Sequence, residues 1–109
     1  MPEQTVTFPI LAGVFPNQAE AFRRLQAEAS EFGVEVSPRE VDVIREAREV
    51  RLAHYFRPAI AARIQQACTV ENTVIVLLPS PLAAVPSFPT GDGALRLIGR
   101  FAGVLVDPD

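Results

Sequence analysis

Leu11-Ala12-Gly13-Val14-Phe15-Pro16 and Leu52-Ala53-His54-Tyr55-Phe56-Arg57-Pro58 are the two stretches on which the fold turns. Each reads as a strand that ends in Phe and enters a helix beside a Pro. Around the first, Val6, Phe8 and Ile10 alternate with Thr5, Thr7 and Pro9, the period of a half-buried strand. Pro9 has no N–H for a ladder, so the strand is expected to lie at an edge there or to carry a bulge. Around the second, Val50, Leu52 and His54 alternate with Arg51, Ala53 and Tyr55, and a strand is expected to run to Phe56. Two βα units in one short chain predict an α+β fold, a ferredoxin-like two-layer sandwich with a four- to five-stranded sheet and two or three helices. The alternative is a small α/β three-layer fold, expected if Pro38–Glu49 and Ala94–Ala102 are both helical.

The remaining elements follow from local signals. Asn17 to Phe32 reads as a helix with Phe22, Leu25, Ala29 and Phe32 on one apolar stripe. Asn17 is its cap, Glu20 completes a capping box and Gly33 suits the left-handed position beyond its end. Glu20 and Arg24 are spaced for an i,i+4 pair, and Phe22 and Leu25 are expected to be fully buried. Val34–Val36 reads as a short strand. Ser37-Pro38-Arg39-Glu40 resembles a second capping box and favours a helix from Pro38 to about Glu49; a hairpin strand through Val41 and Val43 competes with it. Pro58 opens a further helix with Ile60 and Ile64 inward. Val74–Leu78 is a continuous apolar run, expected of a central strand buried on both faces. Pro79–Gly93 reads as a long loop, and Ala94–Val106 fits helix or strand.

Composition sets the outer limits. The chain has 109 residues, of which 49% are hydrophobic and 21% charged, with a mean hydropathy of +0.20. That excludes an intrinsically disordered chain and fits a single domain spanning 1–109. A net charge of -3 and a pI near 5.1 argue against a broad nucleic-acid footprint. One Cys and one His exclude an internal disulfide and the usual zinc ligand sets. All ten basic residues are Arg, which reads as the codon bias of a GC-rich, bacterial genome. The N-terminus lacks a basic and then apolar leader, and Val74–Leu78 is far short of the ~20 residues that span a bilayer. A soluble, cytoplasmic protein without membrane contact is expected.

Gly13-Val14-Phe15-Pro16-Asn17, with Ala21, Leu25 and Gly33, resembles the first half of a SPOR domain. The resemblance implies a small ferredoxin-like fold and binding of peptidoglycan glycan strands. The second half of the chain does not repeat it, so the glycan-binding reading stands as an alternative.

Candidate chemistry is sparse. His54 is a potential general base beside Tyr55 and Arg57, or a satisfied histidine at a strand end. Cys68 is a small buried hydrophobe unless something lowers its thiol pKa. Gly91-Asp92-Gly93 is a tight turn or an anion-binding nest; no Walker or G-x-G-x-x-G pattern accompanies it, and no cofactor or metal is expected. Phe88 could act as an apolar lid over a ligand. The residues proposed to bind a ligand are therefore His54, Tyr55, Arg57, Phe88 and Asp92, with the anion at the helix start marked by Pro58. The expected function is a non-enzymatic module that binds a protein partner or a small anionic ligand, as a homodimer. A small enzyme using His54, Tyr55 and Arg57 is the further alternative.

Overall fold

In the computed structural model, which describes residues 4–46, 48–68, 70–79 and 95–105, four strands and three helices are present. They follow the order β1 (Gln4–Gly13), α1 (Gln18–Ser30), β2 (Val41–Ile44), α2 (Arg48–Leu52), α3 (Pro58–Ala67), β3 (Thr73–Leu77) and β4 (Arg96–Leu105). The sheet order is β2-β3-β1-β4 and every neighbouring pair is antiparallel. The class is α+β, and this strand order with these directions is compatible with a ferredoxin-like plan. The second helical segment lies between β2 and β3.

β1 forms because its alternating residues serve two apolar surfaces. Phe8 and Ile10 face one way and Leu11 the other, and all three are fully buried. Pairing with β3 begins at Ile10, directly after Pro9, and the register with β4 shifts between Ile10 and Leu11. The edge expected at Pro9 is therefore present, whereas the irregularity lies one pair further on and its extra residue, Ile98, belongs to β4. β3 is central and buried at all five positions, as its unbroken apolar run requires.

α1 starts where Asn17 Oδ1 accepts the Glu20 N–H at 2.9 Å, and Gly33 follows its end with φ of 73°. Ala21, Leu25 and Ala29 face the sheet and are fully buried. Burying Leu25 alone contributes ~1.5–3 kcal/mol. Phe22 is half-buried, because it sits at the margin of the helix's contact with the sheet. Glu20 pairs with Arg23, while Arg24 reaches Glu28, so the expected Glu20–Arg24 pair does not form.

Three local readings give way to tertiary structure. The capping box at Ser37 is confined to one 3-10 turn, Pro38–Glu40, and Val41–Ile44 then pairs with β3 rather than continuing as a helix. Val41 and Val43 meet the α1 side of the sheet and Ile44 the other, so pairing outweighs the helix-start signal. The segment expected as a strand to Phe56 is helix α2 followed by turns. Its i,i+4 spacing buries Leu52 and Phe56 together and leaves Val50 and His54 exposed. Val34–Val36 forms no strand; the Val34 N–H bonds to the Ala29 carbonyl at 3.1 Å, closing the end of α1.

Each sheet face carries its own apolar cluster. α1 covers Leu11, Val41, Ile75 and Leu77, with Phe15 and Leu95 at its border. α2, α3 and the turn between them cover Phe8, Ile10, Ile44, Val74 and Val76. Helical cover is thus shared between the faces.

Candidate functional site

The sequence-predicted residues His54, Tyr55 and Arg57 lie in the turn between α2 and α3, not at a strand end. His54 is exposed. Arg57 is exposed at the N-cap of α3 and makes no side-chain cap. Together with Tyr55, Ile60, Ala102, Gly103 and Val104 it borders a mainly apolar groove of about 230 Å³. Phe88 and Asp92, and the Gly91–Gly93 turn with them, lie outside the described residues.

Tyr55 has the most constrained place of the three. Its ring meets Phe8 edge-on at 5.5 Å, and its carbonyl accepts the Val104 N–H at 2.8 Å. Gly103 lies beneath this turn. A Cβ there would fall 2.6 Å from the Tyr55 carbonyl and 2.9 Å from the Phe8 and Phe56 rings, so the close approach depends on glycine. The Tyr55 hydroxyl donates to Asp42 Oδ2 at 2.9 Å, and Arg51 Nη2 donates to Asp42 Oδ1. Burial, then the hydrogen bond and charge of Asp42, push the Tyr55 pKa up to about 12, against a smaller lowering by Arg51. A phenol held so firmly in its neutral form is a poor proton carrier near neutral pH. Burial likewise pushes the Cys68 thiol up; nearby Arg48 and Arg96 oppose that and Glu71 adds to it.

Polar groups converge elsewhere, at the C-terminal end of β2. Arg45 Nη2 donates to the Phe15 carbonyl at 3.0 Å. Asn72 holds the backbone of the same residue: its Oδ1 accepts the Phe15 N–H at 3.0 Å and its Nδ2 donates to the Phe15 carbonyl at 2.9 Å. Arg45 is thereby fixed, half-buried, with its Nε buried and unpartnered. Among the described residues no carboxylate pairs with it. It lines a cavity of about 350 Å³ with Asn17, Gln18, Glu46 and Arg51. A second depression of about 300 Å³ shares Gln18 and Arg51 and runs along the outer edge of β2 past Phe22, Pro38, Val41 and Val43.

Arg45, Arg51, Gln18 and Asp42 are absent from the sequence-based site. The two Arg residues sit in a charged run that reads as a solvated surface. Taking Val41-Asp42-Val43-Ile44 as a strand would have set Asp42 on the face opposite Val41 and Val43. Nothing local links Arg45 to Phe15, thirty positions away in the chain.

Comparison of the chain with models of protein families, with curated proteins and with solved structures finds no match. The described residues contain no group of three or more His, Cys, Asp or Glu able to hold a metal ion, and no helix long and apolar enough to cross a membrane.

Proposed function

We propose that this protein is a non-enzymatic binding module whose site takes a carboxylate or similar small anionic group beside Arg45. The observation that carries this reading is a fixed, half-buried guanidinium that lines a cavity and has a carbonyl, not a carboxylate, as its partner. An unneutralised charge at partial burial is unfavourable, and an entering anion relieves it with charge-assisted hydrogen bonds. Arg51, across the same cavity, is already engaged by Asp42 and adds less. The anion site thus shifts from Arg57, where the sequence placed it, to the end of β2. The bacterial source and cytoplasmic location expected from composition belong to this proposal.

Titration with acetate and with phosphate, followed by thermal shift and by NMR of the Arg side chains, tests it. Arg45→Gln is expected to weaken binding about tenfold, as for loss of a hydrogen bond to a charged group. Arg57→Ala is expected to leave it unchanged. The opposite pattern would return the site to the start of α3.

Self-association is the second part of the proposal, supported by one observation. Thr7 and Ala102 face each other across β1 and β4 and are both exposed, on the part of the sheet beyond α1. A two-fold contact there would cover them. Light scattering is expected to give about twice the 11.9 kDa chain mass; the chain mass itself would remove the dimer and leave the anion site standing.

A further inference from the structure

The outer edge of β2 has a defined hydrogen-bonding pattern. The Leu78 N–H donates to the Glu40 carbonyl at 2.9 Å, one step beyond the Val41–Leu77 register pair. Antiparallel ladders alternate bonded and non-bonded pairs, so Asp42–Val76 and Ile44–Val74 are the bonded ones. The backbone groups of Val41 and Val43 therefore point away from β3. Gln18 Nε2 confirms this direction by donating to the Val43 carbonyl at 2.8 Å, in the position that an N–H of an added strand would take.

Val41 directly follows the 3-10 turn, and Gln18 covers the Val43 carbonyl. Among the described residues, the groups left without a backbone partner are then the Val41 carbonyl and the Val43 N–H, one on each side of Asp42. A parallel neighbour uses this pair: one residue opposite Asp42 donates its N–H to Val41 and accepts the N–H of Val43. An antiparallel neighbour reaches the same two groups through the residues flanking the one opposite Asp42, so the hydrogen bonds alone leave the direction open. The charge of the cavity fixes polarity: a parallel segment presents its C-terminal carboxylate to Arg45, whereas an antiparallel one would present its N-terminus there. The incoming segment runs from Pro38 toward Arg45, and about three residues at ~3.3 Å each bring its C-terminal end to the Arg45–Arg51 cavity.

We propose that the edge of β2 takes up an extended peptide as a fifth, parallel strand, with the peptide's C-terminal carboxylate in the Arg45–Arg51 cavity. The backbone pairing supplies affinity with little sequence demand, and Phe22 and Pro38 offer an apolar margin for one side chain. This inference rests on the anion-binding reading and adds the class of partner that brings the anion.

The test uses the full chain, isotope-labelled, with acetyl-Thr-Val-Thr-Val-Thr bearing a free C-terminal carboxylate, and acetate as the anion alone. The peptide is expected to move the Val43 amide and the Arg45 side-chain signals together, at concentrations around 1 mM or below. Its C-terminal amide is expected to bind about tenfold more weakly. N-methylation at one interior position, the residue opposite Asp42, is expected to weaken binding by a similar factor, and at the adjacent position to have little effect. Binding that tolerates N-methylation at every position overturns the strand. A peptide that moves Arg45 and leaves Val43 in place overturns it too, while the anion site stands. If neither acetate nor peptide moves Arg45, both readings fall.

Discussion

Under α1 the sheet meets one helix of 13 residues, whose fully buried positions Ala21, Leu25 and Ala29 recur at every fourth residue. On the other face it meets two short helices and the turn between them, anchored by three aromatic rings. Phe8 stands edge-on to Tyr55 and to Phe56, each at 5.5 Å, and Asp42 of β2 together with Gly103 and Val104 of β4 holds the turn. The first face is organised by a helix that its own sequence favours. The second is organised by contacts between residues far apart in the chain, so a single side chain there carries more of the arrangement.

Truncation of one Phe on each face should expose that difference most clearly. Phe8 is fully buried at the centre of the aromatic group, and Phe8→Ala is expected to cost ~3–5 kcal/mol. Phe22, half-buried at the margin of α1, should cost roughly 1–2 kcal/mol when changed to Ala, in proportion to the apolar area it hides. Urea denaturation of both variants measures the pair; equal losses would mean that the faces do not differ in this way.

A smaller effect is expected from adding one carbon. Gly103→Ala places a methyl group against the Tyr55 carbonyl and two rings, with a cost of about 1–3 kcal/mol. The loss should be concentrated in the turn, seen as faster hydrogen exchange of the Val104 amide than of the amides of α1. Uniform acceleration across both faces would show that the turn is not a local weak point.

The smallest effect at neutral pH concerns Tyr55, but it has a distinctive pH signature. The folded protein keeps the phenol protonated up to about 12, whereas the unfolded chain ionises near the ordinary value of 10.0. The stabilisation is therefore complete below pH 10 and is lost as the pH rises from there through 12. Tyr55→Phe should remove that decline and cost ~1 kcal/mol near neutrality through the lost hydrogen bond. Tyr55 is the chain's one Tyr and there is no Trp, so phenolate absorbance follows it directly. Ionisation near 10 in the folded protein would break the link to Asp42.

What the sequence determined by itself lies where the signal and the structure share a short range. The strand through Phe8 and Ile10, the Asn17-capped helix with its buried Leu25, the Pro58 helix and the buried run of β3 all depend on periodicity and caps within a few residues. Ser37–Glu40 and Val50–Phe56 carried equally plausible local patterns, and tertiary contacts overruled both: β3 supplied a pairing edge for Val41–Ile44, and the sheet face supplied a surface for Leu52 and Phe56 together. The candidate site shows the same limit more sharply. Arg45 looks like any solvated Arg in its charged run until pairing with β3 brings the C-terminal ends of β1 and β2 to the start of that strand, and the Phe15 carbonyl, itself held by Asn72, fixes its guanidinium beside a cavity. Periodicity reports which side of an element is apolar; which distant backbone group a polar side chain will meet is decided only when the sheet closes.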